Sequence, residues 1–132
     1  MKPKIGLITL GVTDLERSTR FYRDGLGLPQ HGDYPGVTFF ALNGTWLGLY
    51  PRADLARDAN MDEAGTGFRG FSLAHNVGST EEVDSVLMEA EKAGGIIVKE
   101  AKAAEWGGYS GYFSDPDGFL WEVAWNPDFD LT

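Results

Sequence analysis

Few residues of this sequence could do chemistry, and their types limit what that chemistry can be. The chain has 132 residues, no cysteine and two histidines, His31 and His75. Without a thiol there is no disulfide framework, zinc ribbon, iron–sulfur site or cysteine nucleophile. No Gly-x-Ser-x-Gly elbow occurs, and no glycine-rich loop ending in Gly-Lys-Ser/Thr, so hydrolase and kinase readings drop out. What remains is one carboxylate in an apolar run, Glu122 within Leu120-Trp121-Glu122-Val123-Ala124-Trp125, and the aromatic residues Trp46, Tyr50, Phe71, Trp106, Tyr109 and Tyr112. A carboxylate can act as general acid, general base or hydrogen-bond acceptor. Aromatic walls with a few polar tips hold small flat or cationic organic molecules.

Two motifs match by letter only. Gly65-Thr66-Gly67-Phe68-Arg69-Gly70 satisfies the dinucleotide glycine pattern but leads into a strand instead of joining a strand to a helix, so it reads as a linker. Asn43-Gly44-Thr45 fits the glycosylation sequon, yet no secretory signal precedes it and it lies between apolar runs, where Asn-Gly makes a hairpin turn.

The elements that must position these residues follow from periodicity. Residues 5–12 alternate as a strand, Thr13-Asp14 supplies an N-cap, and Leu15, Thr19 and Tyr22 follow at helical spacing. Gly25-Leu26-Gly27 ends that helix, and extended runs are predicted at 29–33, 37–42 and 46–50. In the second half 68–77 is a strand. Ser79 caps a helix carrying Val83, Val86, Leu87 and Ala90, and Glu82 completes a capping box. Gly94-Gly95 closes the helix, 96–98 begins a strand, and 109–114 with 119–125 make a hairpin around Asp115-Pro116-Asp117-Gly118.

Both halves thus spell strand, helix, strand, strand, strand, and Val12 and Val77 stand 77 − 12 = 65 residues apart. The expected fold class is α+β: a single domain, 1–132, of two βαβββ modules, with a cleft between them. The N-terminal module spans about 4–51 and the C-terminal module about 68–127. The linker, 52–67, holds a short helix at 54–59 and could lie over a cleft as a flap. Strand parity turns Leu47 and Leu49 toward the helices and Trp46, Gly48 and Tyr50 toward the cleft. In the last strand Trp121, Val123 and Trp125 share one face, and Leu120, Glu122 and Ala124 the other. Leu7 shares a face with Thr9, and Phe71 with Leu73 and His75.

Composition agrees with a globular chain: 42% hydrophobic and 23% charged. The net charge of −9 repels phosphate backbones and anionic headgroups, so neither nucleic acid nor membrane is expected as a partner. No apolar run reaches the roughly 18 residues of a spanning helix. The opening Met1-Lys2-Pro3-Lys4 leads into a strand, not a signal peptide, and a cytoplasmic location is expected.

Two stretches carry a family likeness. Gly11-Val12-Thr13-Asp14-Leu15-Glu16-Arg17-Ser18, followed by Phe21-Tyr22 and Gly25-Leu26-Gly27-Leu28, resembles the first-module signature of the vicinal oxygen chelate superfamily. That superfamily holds glyoxalases, bleomycin-resistance proteins and extradiol dioxygenases. Asp115-Pro116-Asp117-Gly118-Phe119-Leu120-Trp121-Glu122-Val123 resembles its closing signature. The resemblance covers essentially the whole chain. It implies two modules whose mixed sheets curl around a cleft, pairing as a homodimer, and in metal-dependent members four ligand positions, usually His, Gln or Glu. Those positions fall here on Leu7, Gly48, Phe71 and Glu122.

Leucine and phenylalanine donate nothing to a cation and glycine offers only a carbonyl, whereas a divalent site needs about three protein ligands. No cofactor is therefore expected, and the leading expectation is metal-independent binding of a small organic molecule, antibiotic-like or metabolic, by Trp46, Tyr50, Phe71, His75, Trp106 and Tyr109. The alternative is a metal-dependent lyase, isomerase or dioxygenase built on Glu122 with His75, two positions beyond Phe71. A third reading is a catalytically silent dimeric module. Two readings of Glu122 stay open: an unpaired carboxylate whose pKa an apolar cleft raises, fit for general acid–base work, or a rim carboxylate that is solvated or paired with Arg52 or Arg69. His31, beside the Gly32-Asp33 turn, reads as surface. Trp121 and Trp125 read as sheet packing.

Overall fold

The computed structural model describes every residue except Thr66, Gly70 and Phe129. Thr66 and Gly70 belong to the glycine pattern read above as a linker, which lies in part outside the described residues. The chain divides into two compact units, Met1–Gly65 and Thr66–Thr132.

In the first unit β1 (Leu7–Val12) leads into α1 (Leu15–Arg20) and a π-helical turn at Phe21–Gly25. Asp14 caps α1 as expected, its side chain accepting from the Arg17 N–H at 3.0 Å. Strands β2 (Thr38–Phe40) and β3 (Trp46–Pro51) complete a sheet of order β1-β3-β2, with β3 parallel to β1 and antiparallel to β2. Leu10, Val12, Phe21, Tyr22, Phe40, Leu47 and Leu49 are buried and form its core. The strand expected at 29–33 is reduced to a bridge between Gln30 and Phe40. Pro29 has no N–H to give, and Gly32 turns the backbone to φ +66°.

Residues 52–65, expected as linker, belong to this first unit. Arg52–Asp58 form α2, which lies so close to β1 that a Cβ on Gly11 would be 3.3 Å from both Arg52 Cα and Leu55 Cδ2. The Arg52 guanidinium donates to the carbonyls of Glu63, from Nε at 2.8 Å, and of Gly65 at 2.9 Å.

The second unit has β4 (Leu73–Asn76), α3 (Thr80–Lys92), β5 (Ile96–Ala103), β6 (Tyr109–Ser114) and β7 (Leu120–Trp125) in the order β4-β7-β6-β5. Ser79 caps α3 by accepting from the Glu82 N–H at 3.2 Å. The return arm of the capping box reaches one residue further than expected, Glu82 Oε2 accepting from Gly78 at 3.4 Å. The β6–β7 turn is organised by Asp115, 2% exposed, whose Oδ1 accepts from the N–H groups of Asp117 at 2.9 Å and Phe119 at 2.8 Å. Against the sheet α3 buries Val83, Leu87 and Ala90. A Cβ on Gly111 would come within 2.7 Å of Leu87 Cδ1 and 2.9 Å of both Lys99 O and Ala101 N, so only glycine lets α3, β5 and β6 meet there. The β5–β6 register shifts on both sides of Lys99. Among the described residues no helix is long and apolar enough to cross a membrane.

Candidate functional site

Each unit presents one strand face with chemical character, and the two differ. On the first, β1 and β3 pair Leu7 with Trp46, Thr9 with Gly48 and Gly11 with Tyr50, while β2 sets Phe39 opposite Gly48. Directly paired residues point to the same side of a sheet. Trp46, Gly48 and Tyr50 therefore share a face, as parity predicts, and Leu47 and Leu49 are buried on the other. A Cβ on Gly48 would lie 3.3 Å from Thr9 Oγ1, 3.4 Å from Leu7 Cδ1 and 3.6 Å from Phe39 Cδ1. The bare backbone of Gly48 is thus flanked by the Thr9 hydroxyl, the Leu7 isobutyl group and the Phe39 ring.

At the Trp46 end this face opens into a recess of about 220 Å³ lined by Gly6, Leu7, His31, Tyr34, Phe39 and Trp46. The imidazole of His31 packs on the Trp46 indole with ring centroids 4.7 Å apart and stacks on Tyr34 at 6.4 Å. Tyr34 meets Phe39 edge-on at 5.8 Å. Of the expected aromatic residues Trp46 is in the recess. Tyr50 lies further along the same face, where α2 abuts Gly11. His31, Tyr34 and Phe39 were missed by sequence reasoning. Phe39 was readable from the hairpin register opposite Gly48, but nothing local signals the approach of His31 and Tyr34.

In the second unit the polar feature is a pair. Glu122 is the direct partner of Tyr112 across β6–β7 and of Ala74 across β4–β7. The Tyr112 hydroxyl donates to Glu122 Oε2 at 3.1 Å in a part-buried setting, so Glu122 is not unpaired, as one of its two readings had it, and its partner is a tyrosine. Burial, followed by the Glu122 charge and this hydrogen bond, raises the Tyr112 pKa above the ordinary tyrosine value, which keeps it a donor. Neither expected arginine partner is turned to this role. Arg52 holds the carbonyls named above, and Arg69 donates to Asp117 O at 2.9 Å with its guanidinium 4.7 Å over the Phe119 ring.

Three expected site residues prove to be placed otherwise. His75 pairs with Val123, which puts it on the opposite face from Glu122. Phe71 precedes β4, and counting back from Ala74 places Ser72 on the Glu122 parity and Phe71 off it. The Phe71 ring packs instead against Phe119 at 6.1 Å. Tyr109 pairs with Trp125 on the α3 side, where its hydroxyl donates to Asp84 of α3 at 2.8 Å. Trp106, half exposed, lies against Gly108, leaving no space there for a side chain.

In the first unit Leu7 and Gly48 bring no side-chain donor, in the second the face of Glu122 offers Ala74 and Tyr112 as its strand neighbours, and within neither unit do three described His, Asp or Glu side chains gather to fit a divalent ion.

Two βαβββ-like units with these signatures define a class, and the comparisons agree. Residues 4–123 match the model of the Glyoxalase/Bleomycin resistance protein/Dioxygenase superfamily, and the chain belongs to that superfamily. Among individual proteins it is similar to a glyoxalase-related enzyme from Fulvimarina pelagi, 36% identical with a TM-score of 0.88, over 98% of this chain and 93% of that one. A lactoylglutathione lyase from Agrobacterium tumefaciens is 27% identical with a TM-score of 0.74, over 98% and 100% of the two chains. Glutathione transferase FosA of Serratia marcescens is 29% identical over 124 residues, 93% of this chain and 81% of that protein.

Proposed function

We propose that this protein binds a small organic molecule in the aromatic recess of its N-terminal unit, without the divalent metal of its metal-dependent relatives. One observation carries the reading. The strand face that should bring the first two metal donors carries Leu7 and the bare backbone of Gly48, and that same face opens beside Trp46 into a hollow lined by rings. Apolar, aromatic concavities with few polar groups are the usual form of small-molecule sites. In this reading the protein acts in the cytoplasm as a homodimer, with no nucleic acid or membrane partner, in keeping with its net charge of −9.

The test has two arms. Protein incubated with Mn²⁺, Fe²⁺, Ni²⁺ or Zn²⁺ and desalted is expected to retain no stoichiometric metal. A panel of small aromatic probes is expected to quench tryptophan fluorescence, and Trp46→Ala to remove the saturable part. Tightly held metal that is lost in Glu122→Ala would overturn the metal-free half of the proposal.

A second reading, an enzyme of the lyase, isomerase, dioxygenase or transferase type, has two observations in its favour. Two of the relatives carry glutathione in their names, and the Tyr112–Glu122 pair offers an acceptor carboxylate oriented by a tethered donor. Turnover of lactoylglutathione, or transfer of glutathione to an organic acceptor, that falls in Glu122→Gln would establish it.

A further inference from the structure

We infer that the recess takes the methylated ammonium end of a small organic cation. The inference rests on the reading that the recess is a ligand site, and it names the ligand's head group. The walls are rings met in succession: Trp46 and His31 at an interplanar angle of 53°, His31 and Tyr34 at 29°, Tyr34 and Phe39 at 74°. All four line a hollow of about 220 Å³ whose other lining is Gly6 and Leu7. The faces of the Trp46, Tyr34 and Phe39 rings are electron-rich, and a cation held within about 6 Å of such a ring centroid is attracted to it most strongly when both are dry.

The lining also says which cation. It contains no Lys or Arg to repel a positive head group and no Asp or Glu to bond one. A primary ammonium gives up three hydrogen bonds to water on entering and finds no carboxylate to replace them. A trimethylammonium group has no N–H to satisfy, so ring faces alone suffice for it. Arg23, the arginine nearest the recess loop along the chain, is already engaged by Asp24 at 2.8 Å and Gln30 at 2.9 Å.

Gly32 makes room for one of these rings. Its φ of +66° suits glycine, and a Cβ there would lie 2.6 Å from Tyr34 Cε2. A side chain at residue 32 would push the Tyr34 ring away from the position it holds against that backbone.

Titration calorimetry on the full chain tests the inference with three probes: choline, its neutral isostere 3,3-dimethyl-1-butanol, and ethanolamine. Choline is expected to bind roughly tenfold tighter than the isostere, and ethanolamine more weakly than either. Trp46→Leu should erase the preference for choline. Gly32→Ala, which leaves Trp46 in place, should lower choline affinity severalfold, with circular dichroism melting confirming that each variant is folded. Equal binding of choline and its isostere, or wild-type choline affinity in folded Trp46→Leu, would overturn the cation inference while leaving the recess a ligand site. If none of the three probes binds and 2-naphthol does not bind either, the underlying reading of the recess fails as well.

Discussion

The two units repeat one plan and use it differently. Strand, helix and returning strands occur in both, with N-caps at Asp14 and Ser79, again 65 residues apart. Yet the first closes on three strands and the second on four. Met1–Gly65 carries seven Lys and Arg against eight Asp and Glu, whereas Thr66–Thr132 carries four against twelve. The nearly neutral unit has the aromatic recess and no donor at Leu7 or Gly48. The acidic unit has the hydrogen-bonded carboxylate. The difference teaches that a shared backbone plan fixes where side chains emerge, while their chemistry is free to diverge, so membership of the superfamily does not by itself assign a reaction.

The comparison can be broken or sharpened by mutation. The largest effect is expected in the β6–β7 turn, where Asp115→Ala removes a buried acceptor of two backbone N–H groups. It should cost about 3 kcal/mol in urea unfolding, whereas Asn43→Ala in the exposed β2–β3 turn should cost less than about 1 kcal/mol. Equal losses at the two turns would contradict the asymmetry. Next come the equivalent caps: Asp14→Ala and Ser79→Ala should each lose about 1 kcal/mol, read from the same unfolding midpoints.

Tyr112→Phe should act through pH. Because folding raises the Tyr112 pKa, its contribution is fully present below the ordinary value of 10.0 and is lost as pH rises through the folded value. The stability gap between wild type and Tyr112→Phe should accordingly narrow in strong alkali, and a late component of the tyrosinate absorbance titration should disappear. A gap that widens above pH 10 would reverse the assignment. The smallest effect is expected at the α1 surface, where Glu16 accepts from Arg20 at 2.7 Å with both side chains largely in water. Glu16→Ala should shift stability by less than about 0.5 kcal/mol, and that shift should vanish in high salt.

Much of the fold was legible because its signals are local. Asp14, Ser79, Gly25-Leu26-Gly27 and Asp115-Pro116-Asp117-Gly118 act on backbone within a few residues of themselves, and each does what its chemistry predicts. The aromatic site was legible only where one strand decides it. Trp46 and Gly48 fell on the expected face, but His31 and Tyr34 reach Trp46 through a loop whose path depends on Gly32 and on packing between distant residues. The second unit shows how small an error suffices. A one-residue slip reverses every side chain on a strand, and the slip from Ser72 to Phe71 carried His75 with it. The corrective signal was present, since the 65-residue offset that matches Val12 to Val77 takes Leu7 to Ser72. Tyr109 was open to the same logic, being two residues from Gly111 and four from Phe113 on the α3 side. The Tyr112–Glu122 bond, by contrast, required the exact pairing of β6 with β7.

The broken pairing beside Lys99 has a consequence at the border of the second sheet. A long border strand with a regular backbone is a template on which another molecule's extended segment can grow. Here eight residues run along such a border, and their pairing with β6 is irregular on both sides of Lys99. Irregular rims of this kind discourage neighbouring molecules from stacking into fibres.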